Sequence, residues 1–457
     1  MMRSVARPLY TDHERPSAAP AFAGAPDGTP PWSATTRFHP GGDATMGGVS
    51  LTAIAARFGT PAYVVDETDV RMRCRAYRAA LPGAEVAYAG KAFLCRAMAS
   101  WVRSEGLSLD VCSSGELAVA AAAGFPAERV IMHGNAKTPQ ELAAALEYGV
   151  GRIVVDDVAE ISRLAALTPP GQRRRVLVRV IPDVEAGGHA AVRTGGEDQK
   201  FGLSIATGAA GDAVGRVLGQ PCLELAGLHC HLGSQIIGTE PFTTAVVRMI
   251  DQLALVRDVY GVTPPQLNIG GGHGIVYETG GRALDLRRFA AAVTGAVESR
   301  CAELDLPVPR LTVEPGRALS GPAGVTLYRV IAVKRGLNRT YVSVDGGMSD
   351  NPRPALYGAR HEVRLVGRAA GGAVRACTVA GHHCEAGDLI ARDVPLPEDV
   401  HPGDLLAVAA TGAYNHSMAS TYNQTGRPPV VAVSQGAARL VVRRELTEDL
   451  LRRDVGL

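Results

Sequence analysis

Eight short apolar runs, each closing on residues that carry chemistry, constrain the fold of this chain more than any other feature. In order they are EVAYAGKA (85–92), LSLDVCSSGEL (107–117), RVIMHGNAKT (129–138), RIVVDDVAEI (152–161), RVLVRVIPDV (175–184), LAGLHCHLGSQ (225–235), QLNIGGGHGI (266–275) and RLTVEPGRAL (310–319). Strands buried on both faces read as near-continuous apolar runs, and parallel neighbours need a helical crossover between them. The Ala/Leu/Arg spacers supply that crossover. One of them starts at Thr138, with Glu141 three residues on, the spacing of a capping box. Eight such strand–helix units predict a (β/α)8 TIM barrel over residues 71–325. In that barrel the strand C-termini share one mouth, so Lys91, Asp110, His133 with Asn135, His231 with Ser234, Gly270–Gly272, and Glu314 with Arg317 are gathered on one rim.

Beyond about residue 325 the texture changes to strands with few helices between them (VTLYRVIAVKR, RTYVSVDGG, HEVRLVGRA, DLLAVAATGAY, PPVVAVSQGAARLVVRRE). This predicts a C-terminal, mainly antiparallel β domain over 326–457. The early strand AYVVDE, in a segment spanning 48–70, is placed to join it. Residues 1–47 are rich in Pro, Ala and Gly and lack the continuous apolar stretch of a signal peptide, so a disordered lead is expected.

Composition narrows the partners. The chain has 47 basic and 45 acidic residues, a balance with no nucleic-acid or membrane footprint, which favours a small-molecule ligand. No apolar run approaches the roughly 20 residues needed to cross a bilayer. The eight cysteines form no C-x-x-C pair, which points to reduced core residues in a cytoplasmic protein rather than a zinc site or disulfide framework.

The rim residues suggest a cofactor. Lys91 ends the first strand, and an amine disfavoured as a cation by partial burial can become a Schiff-base nucleophile. Glu314 has the chemistry to keep a pyridine nitrogen protonated, the condition for an effective electron sink. Its bland alternative is a salt bridge to Arg317, but the Pro315–Gly316 bend between them favours two separate roles. Gly270–Gly272 lets a phosphate approach backbone N–H groups, with Ser234 and Arg317 adding donors. His229 and His231 share a strand face and could ligate a metal, but no third ligand is evident. No metal is expected. His231 is read instead as a flat ring stacked on the cofactor, and His229 as structural.

YAGKA, LDVCSSGEL, HGNAKT, HCHLGSQ, GGG, EPGR, GGMSDNPRPALY, CEAGD and GAYNHSMASTYN, in this order over about 50–457, resemble the diaminopimelate decarboxylase family. The resemblance implies a pyridoxal 5′-phosphate enzyme that converts meso-2,6-diaminopimelate to L-lysine and CO2, as a homodimer. It makes Lys91 the residue that holds the cofactor covalently and His231 the one stacked on its ring. Ser234, Gly270, Gly271, Gly272, Gly316, Arg317 and Tyr414 become phosphate and cofactor contacts, with Glu314 on the pyridine nitrogen. Arg317, Arg353, Tyr357, Glu385 and Tyr414 become substrate contacts, and Cys384 the proton donor. Cys384 and Glu385 are implied to reach in from the neighbouring subunit.

The chain departs from the family pattern at Ala136 and Thr138 (HGNNKS in the family) and at His273 beside the glycine turn (GGGLG). It departs again at Ala386 (CESGD) and in the Gly-Ala-Arg after RPALY. A decarboxylase for a related amino acid, an amino-acid racemase and a non-catalytic cofactor carrier are the rival readings. Racemisation benefits from a less protonated ring, so Glu314 counts against the second. Cys384 and Glu385 have no purpose under the third.

Overall fold

The computed structural model describes residues 30–187 and 194–456. Eight parallel strands close into a barrel: β1 (Glu85–Ala89), β2 (Ser108–Val111), β3 (Val130–Met132), β4 (Arg152–Val155), β5 (Arg174–Ile181), β6 (Leu223–His229), β7 (Gln266–Asn268) and β8 (Arg310–Val313). Closure is made by β8 on β1, with Thr312 opposite Glu85 and Val313 opposite Val86. The β3–β4 crossover helix, Pro139–Tyr148, carries the expected box: the Glu141 amide donates to Thr138 Oγ1 (3.2 Å) and the Thr138 amide to Glu141 Oε2 (2.9 Å).

Alternation along the strands sorts the barrel interior into levels. At the floor, Glu85 on β1 is paired with Arg152, which also donates to Gln266 (3.0 Å). Above it Ala87, Ile131, Val154, Leu177 and Ala226 form a dry plug. Continuing the period of two along the first strand from Glu85 and Ala87 reaches Lys91, in the short turn Gly90–Ala92 at the mouth. A charged floor, an apolar middle and a polar mouth follow from one side-chain period.

The second domain is built on the strand Gly324–Arg335. It pairs antiparallel with Thr340–Val344, Leu405–Ala409 and Ala62–Asp66, while Ala62–Asp66 also runs parallel to Val430–Ser434. Both chain ends therefore close one sheet. The chain leaves that sheet at the helix Glu67–Ala80 and returns to it at Gly324, a few residues from the expected crossings at 70/71 and 325/326.

The expected disordered lead is corrected for residues 30–47. Residues 1–29 lie outside the described residues. From Trp32 onward the chain packs: Arg37–Phe38, Ala44–Met46 and Val49–Ser50 form a small antiparallel sheet. Trp32 and Met46 are buried with Leu51, Ile54 and Val64, and Trp32 Nε1 donates to Glu362 Oε1 (2.9 Å). The hydroxyls of Ser33 and Thr35 donate to the buried Asp66 carboxylate. Composition hides this order because a few buried anchors, rather than the character of the whole segment, hold it in place.

Candidate active site

Lys91 stands in the mouth between two buried neighbours, Gly90 and Ala92, with its own side chain open to the mouth. Burial alone would push its amine down, but Tyr414, Asp110 and Glu314 outweigh burial and leave it raised. The expectation of an amine disfavoured as a cation is therefore corrected: the phenol and the two carboxyls around it oppose desolvation and favour the charged form. The second domain pins its turn. Both the Tyr414 amide (2.8 Å) and the Ser417 hydroxyl (3.0 Å) donate to the Ala92 carbonyl. Tyr414 makes this contact with φ at 59°, a left-handed conformation uncommon for a non-glycine residue.

Glu314, one residue past β8, is buried and clamped on both oxygens. His133 Nε2 lies 2.8 Å from Oε1, Asn268 Nδ2 donates to Oε1 (2.6 Å), and His229 Nε2 lies 3.2 Å from Oε2. Burial alone would raise the carboxyl, but His133 and His229 prevail and hold it well below the usual carboxylate range. Its ion partners do not include Arg317. His229, read from sequence as structural, is thereby a contact of the acid, its own pKa depressed to about 4 mainly by burial. Sequence reasoning misses His133 and Asn268 as partners of this acid. The signal that could find them is their place at strand ends on the same rim. The three side chains His133, His229 and Glu314 lie within 4.8 Å, a span a cation could bridge, but the carboxylate oxygens already meet their partners directly.

His231 lies just past the end of β6. Its Nδ1 accepts from the Gly271 amide (3.2 Å), which leaves the ring proton on Nε2. Burial first, then Lys91, Arg179 and His229, push its pKa well down, so the ring is neutral and flat. The glycine turn is shaped by crowding. A Cβ on Gly271 would sit 2.0 Å from the Glu314 carbonyl oxygen, and one on Gly272 2.2 Å from that of Gly233. The Gly270 amide is committed to Asn268 Oδ1 (2.9 Å) and that of Gly271 to His231, which leaves Gly272 as the amide of this turn for an incoming anion. Gly316 is less crowded but still close, its Cβ position 3.0 Å from Ala89 and Ala92.

The departure at His273 does not touch this turn. The His273 ring points into the helical layer, stacked 5.5 Å from Tyr77 with its Nδ1 2.8 Å from the Tyr77 hydroxyl, and packed against Phe242 and Phe289. Adjacency in sequence puts it beside the phosphate turn; alternation of side-chain direction takes it to the other side.

Two buried arginines complete the mouth. Arg317 donates to Ser234 Oγ (2.7 Å) and to the Tyr277 hydroxyl, and lies 4.6 Å over the Tyr414 ring. Arg353, first residue of the turn of helix Arg353–Tyr357 in the β domain, lies 4.7 Å over the Tyr277 ring with Nη1 buried and unpartnered. Tyr357 is half-buried and near enough to act on the charge of Arg317. Neither arginine meets a carboxylate among the described residues. Buried guanidiniums left without an acid call for anions from outside the chain.

Cys384 and Glu385 sit elsewhere, on a loop of the β domain. Both are exposed, and Cys384 alone of the eight cysteines is so. The loop is firmly built: Asp388 accepts from the Met348 (2.6 Å) and His383 (2.8 Å) amides, and Tyr422 donates to Glu385 (2.9 Å). Those contacts all come from its own domain.

An amine, an ionised acid, a flat imidazole, and a hydroxyl, guanidinium and amide at one anion subsite match the donor set that pyridoxal 5′-phosphate requires. The family model for the pyridoxal-dependent decarboxylase, pyridoxal binding domain, matches residues 67–321. A protein of Actinosynnema pretiosum named diaminopimelate decarboxylase is 57% identical over 424 residues, covering 93% of this chain and 95% of the relative. The protein of that name from Mycobacterium tuberculosis is 48% identical over 93% of this chain and 97% of its own. A crystal structure of diaminopimelate decarboxylase from M. jannaschii superposes with a TM-score of 0.87 at 30% identity, covering 93% of this chain and 98% of that one. A further structure from that organism was solved with L-lysine and has a TM-score of 0.86. The buried acid clamp and this likeness over nearly the whole chain lead to one conclusion: the chain belongs to the diaminopimelate decarboxylase family of pyridoxal-dependent decarboxylases.

Proposed function

We propose that this chain, with pyridoxal 5′-phosphate, decarboxylates meso-2,6-diaminopimelate to L-lysine and CO2, and that it does so as a homodimer. The observation that carries the substrate reading is Arg353, buried with a free Nη1 beside a mouth that already holds Lys91 and Glu314. A substrate with a distal carboxylate gives that guanidinium a bidentate partner; one without it leaves a buried cation unpaired.

When bound, the cofactor supplies an electron-withdrawing ring that holds the electron pair left on carbon as the carboxylate departs. Lys91 would hold the cofactor covalently through its side-chain amine. Glu314, kept ionised by its histidines, would keep the pyridine nitrogen protonated, and the neutral His231 ring would support the heterocycle. Ser234, Arg317, Gly316, Tyr414 and the Gly270–Gly272 turn would hold the phosphate. In that turn Gly270 and Gly271 act by permitting close approach and Gly272 by donating. Arg353, Arg317, Tyr357 and Tyr414 orient substrate. The Cys384 thiol gives its proton to the carbon that has lost CO2 and is replenished from water, and Glu385 takes the distal ammonium.

Cys384 and Glu385 are exposed on a rigid loop held by its own domain, which fits a role in the mouth of a second copy. Among the described residues no helix is long and apolar enough to cross a membrane. That, the balanced charge and the buried or half-buried state of the other seven cysteines fit a cytoplasmic enzyme. Ala386, exposed beside Glu385, is the departure that bears most directly on substrate choice.

The test is turnover of meso-diaminopimelate against ornithine, lysine and arginine, with CO2 and product both followed. A preference for any substrate lacking the distal carboxylate would overturn the reading.

A further inference from the structure

Tyr277 belongs to none of the motifs that identified the site, yet it lies between the two buried arginines. Its hydroxyl accepts from Arg317 Nη1 and its ring face takes the guanidinium of Arg353 at 4.7 Å. Arg317 follows the last barrel strand, whereas Arg353 comes from the β domain, so one side chain gauges the spacing between cations of different domains. Tyr277 is itself fixed from the β-domain side. The Glu362 amide donates to its carbonyl (3.0 Å), and the edge of its ring meets His361 at 5.0 Å and 83°. His361 is held in turn through Nδ1, 2.8 Å from the Ala409 carbonyl.

Two guanidiniums, both more than nine-tenths buried and with no carboxylate partner among the described residues, repel each other and lack the solvation that would offset it. A phenol offers these cations both an oxygen and a π face: its hydroxyl accepts from Arg317 and also acts on Arg353, and its ring lies 4.7 Å from Arg353 and 5.9 Å from Arg317. Arg353 Nη1 is still without a partner, available to an anion.

We propose that Tyr277 is a positioning residue that sets the distance between the cofactor-anion arginine, Arg317, and the substrate-carboxylate arginine, Arg353. The role rests on the function proposed above and extends it, making the recognised substrate one whose carboxylate lies a fixed reach from the phosphate.

Two variants separate the halves of the role. Tyr277→Phe keeps the face and removes the acceptor; cofactor release from the holoenzyme, followed by absorbance, should quicken about three- to tenfold, with KM for diaminopimelate little changed. Tyr277→Leu removes both, and KM should rise about tenfold beyond that of the Phe variant. Equal KM values in the two variants, or unchanged cofactor release in both, would overturn the proposal. So would loss of thermal stability as the sole effect. If the wild-type protein fails to turn over diaminopimelate, the proposed function falls, while the release measurement still tests the link from Tyr277 to Arg317.

Discussion

The barrel mouth and the Cys384–Glu385 loop present reactive groups in opposite ways. In the mouth, Glu314 and Arg317 are buried, and each is fixed by side chains from several elements: His133, Asn268 and His229 for the acid, Ser234 and Tyr277 for the base. On the loop, rigidity comes from Asp388 and Tyr422 beneath, while the reactive pair faces outward. The first arrangement sets charge by enclosure. The second leaves its groups facing solvent, outside the mouth of its own subunit. Under the proposed function, the barrel supplies binding and electron withdrawal, whereas proton delivery would depend on what the outward loop meets.

The strongest way to break this contrast is Lys91→Ala, expected to lower turnover on the order of 10³-fold or more and to abolish the visible absorbance of bound cofactor. Mixing that variant with Cys384→Ala after subunit exchange should restore about a quarter of wild-type activity, because half the dimers then carry one intact site. No restoration would place the thiol in its own subunit's chemistry. Glu314→Gln should reduce kcat about a hundredfold with the fold retained, as the ionised partner of the ring nitrogen is lost. A mild effect would show that the histidine clamp, not the acid, does the work.

Arg353→Ala should raise KM about thirtyfold or more while leaving cofactor affinity near wild type; equal damage to both would make Arg353 a structural residue. Deleting residues 1–47 removes Trp32 and the hydroxyl donors to buried Asp66, so the midpoint of thermal unfolding should drop by about 5 °C or more. An unchanged midpoint would return that segment to the status of a passive lead.

The smallest effect concerns pH. Burial lowers His273 and His361 to about 3 and His229 and His416 to about 4, so these rings stay neutral in the fold while the unfolded chain protonates them. Their stabilisation is present above about pH 6.5 and is lost as pH falls toward 4. Asp110 and Asp350, raised by burial to about 6 and about 7, act in the opposite sense, but two carboxyls are outnumbered by four imidazoles. Stability should therefore decline from pH 7 to 5, and His273→Leu should flatten that decline without altering KM. A changed KM would bring His273 back to the phosphate turn.

The eight barrel strands and the rim of polar strand ends are legible in the sequence because side-chain period and strand length are local properties. The early strand's place in the β domain is legible for the same reason. The His133–Glu314–His229 clamp, the turning away of His273 and the role of Tyr277 are not, because each depends on which side chains converge from distant strands. The charge on Lys91 is misread from sequence for a related reason: burial can be guessed from a strand end, but the three groups that oppose it come from three different elements.

The sequence by itself determined the barrel, the companion sheet and the list of chemistries brought to one mouth, since two-residue and helical periods are written residue by residue. Only the tertiary structure decided which oxygen each histidine faces, which amide of the glycine turn is left to donate, and that the thiol looks outward. Those are matters of distance across the molecule, where Coulombic and hydrogen-bonding energies fall off over a few ångströms and no local pattern records them.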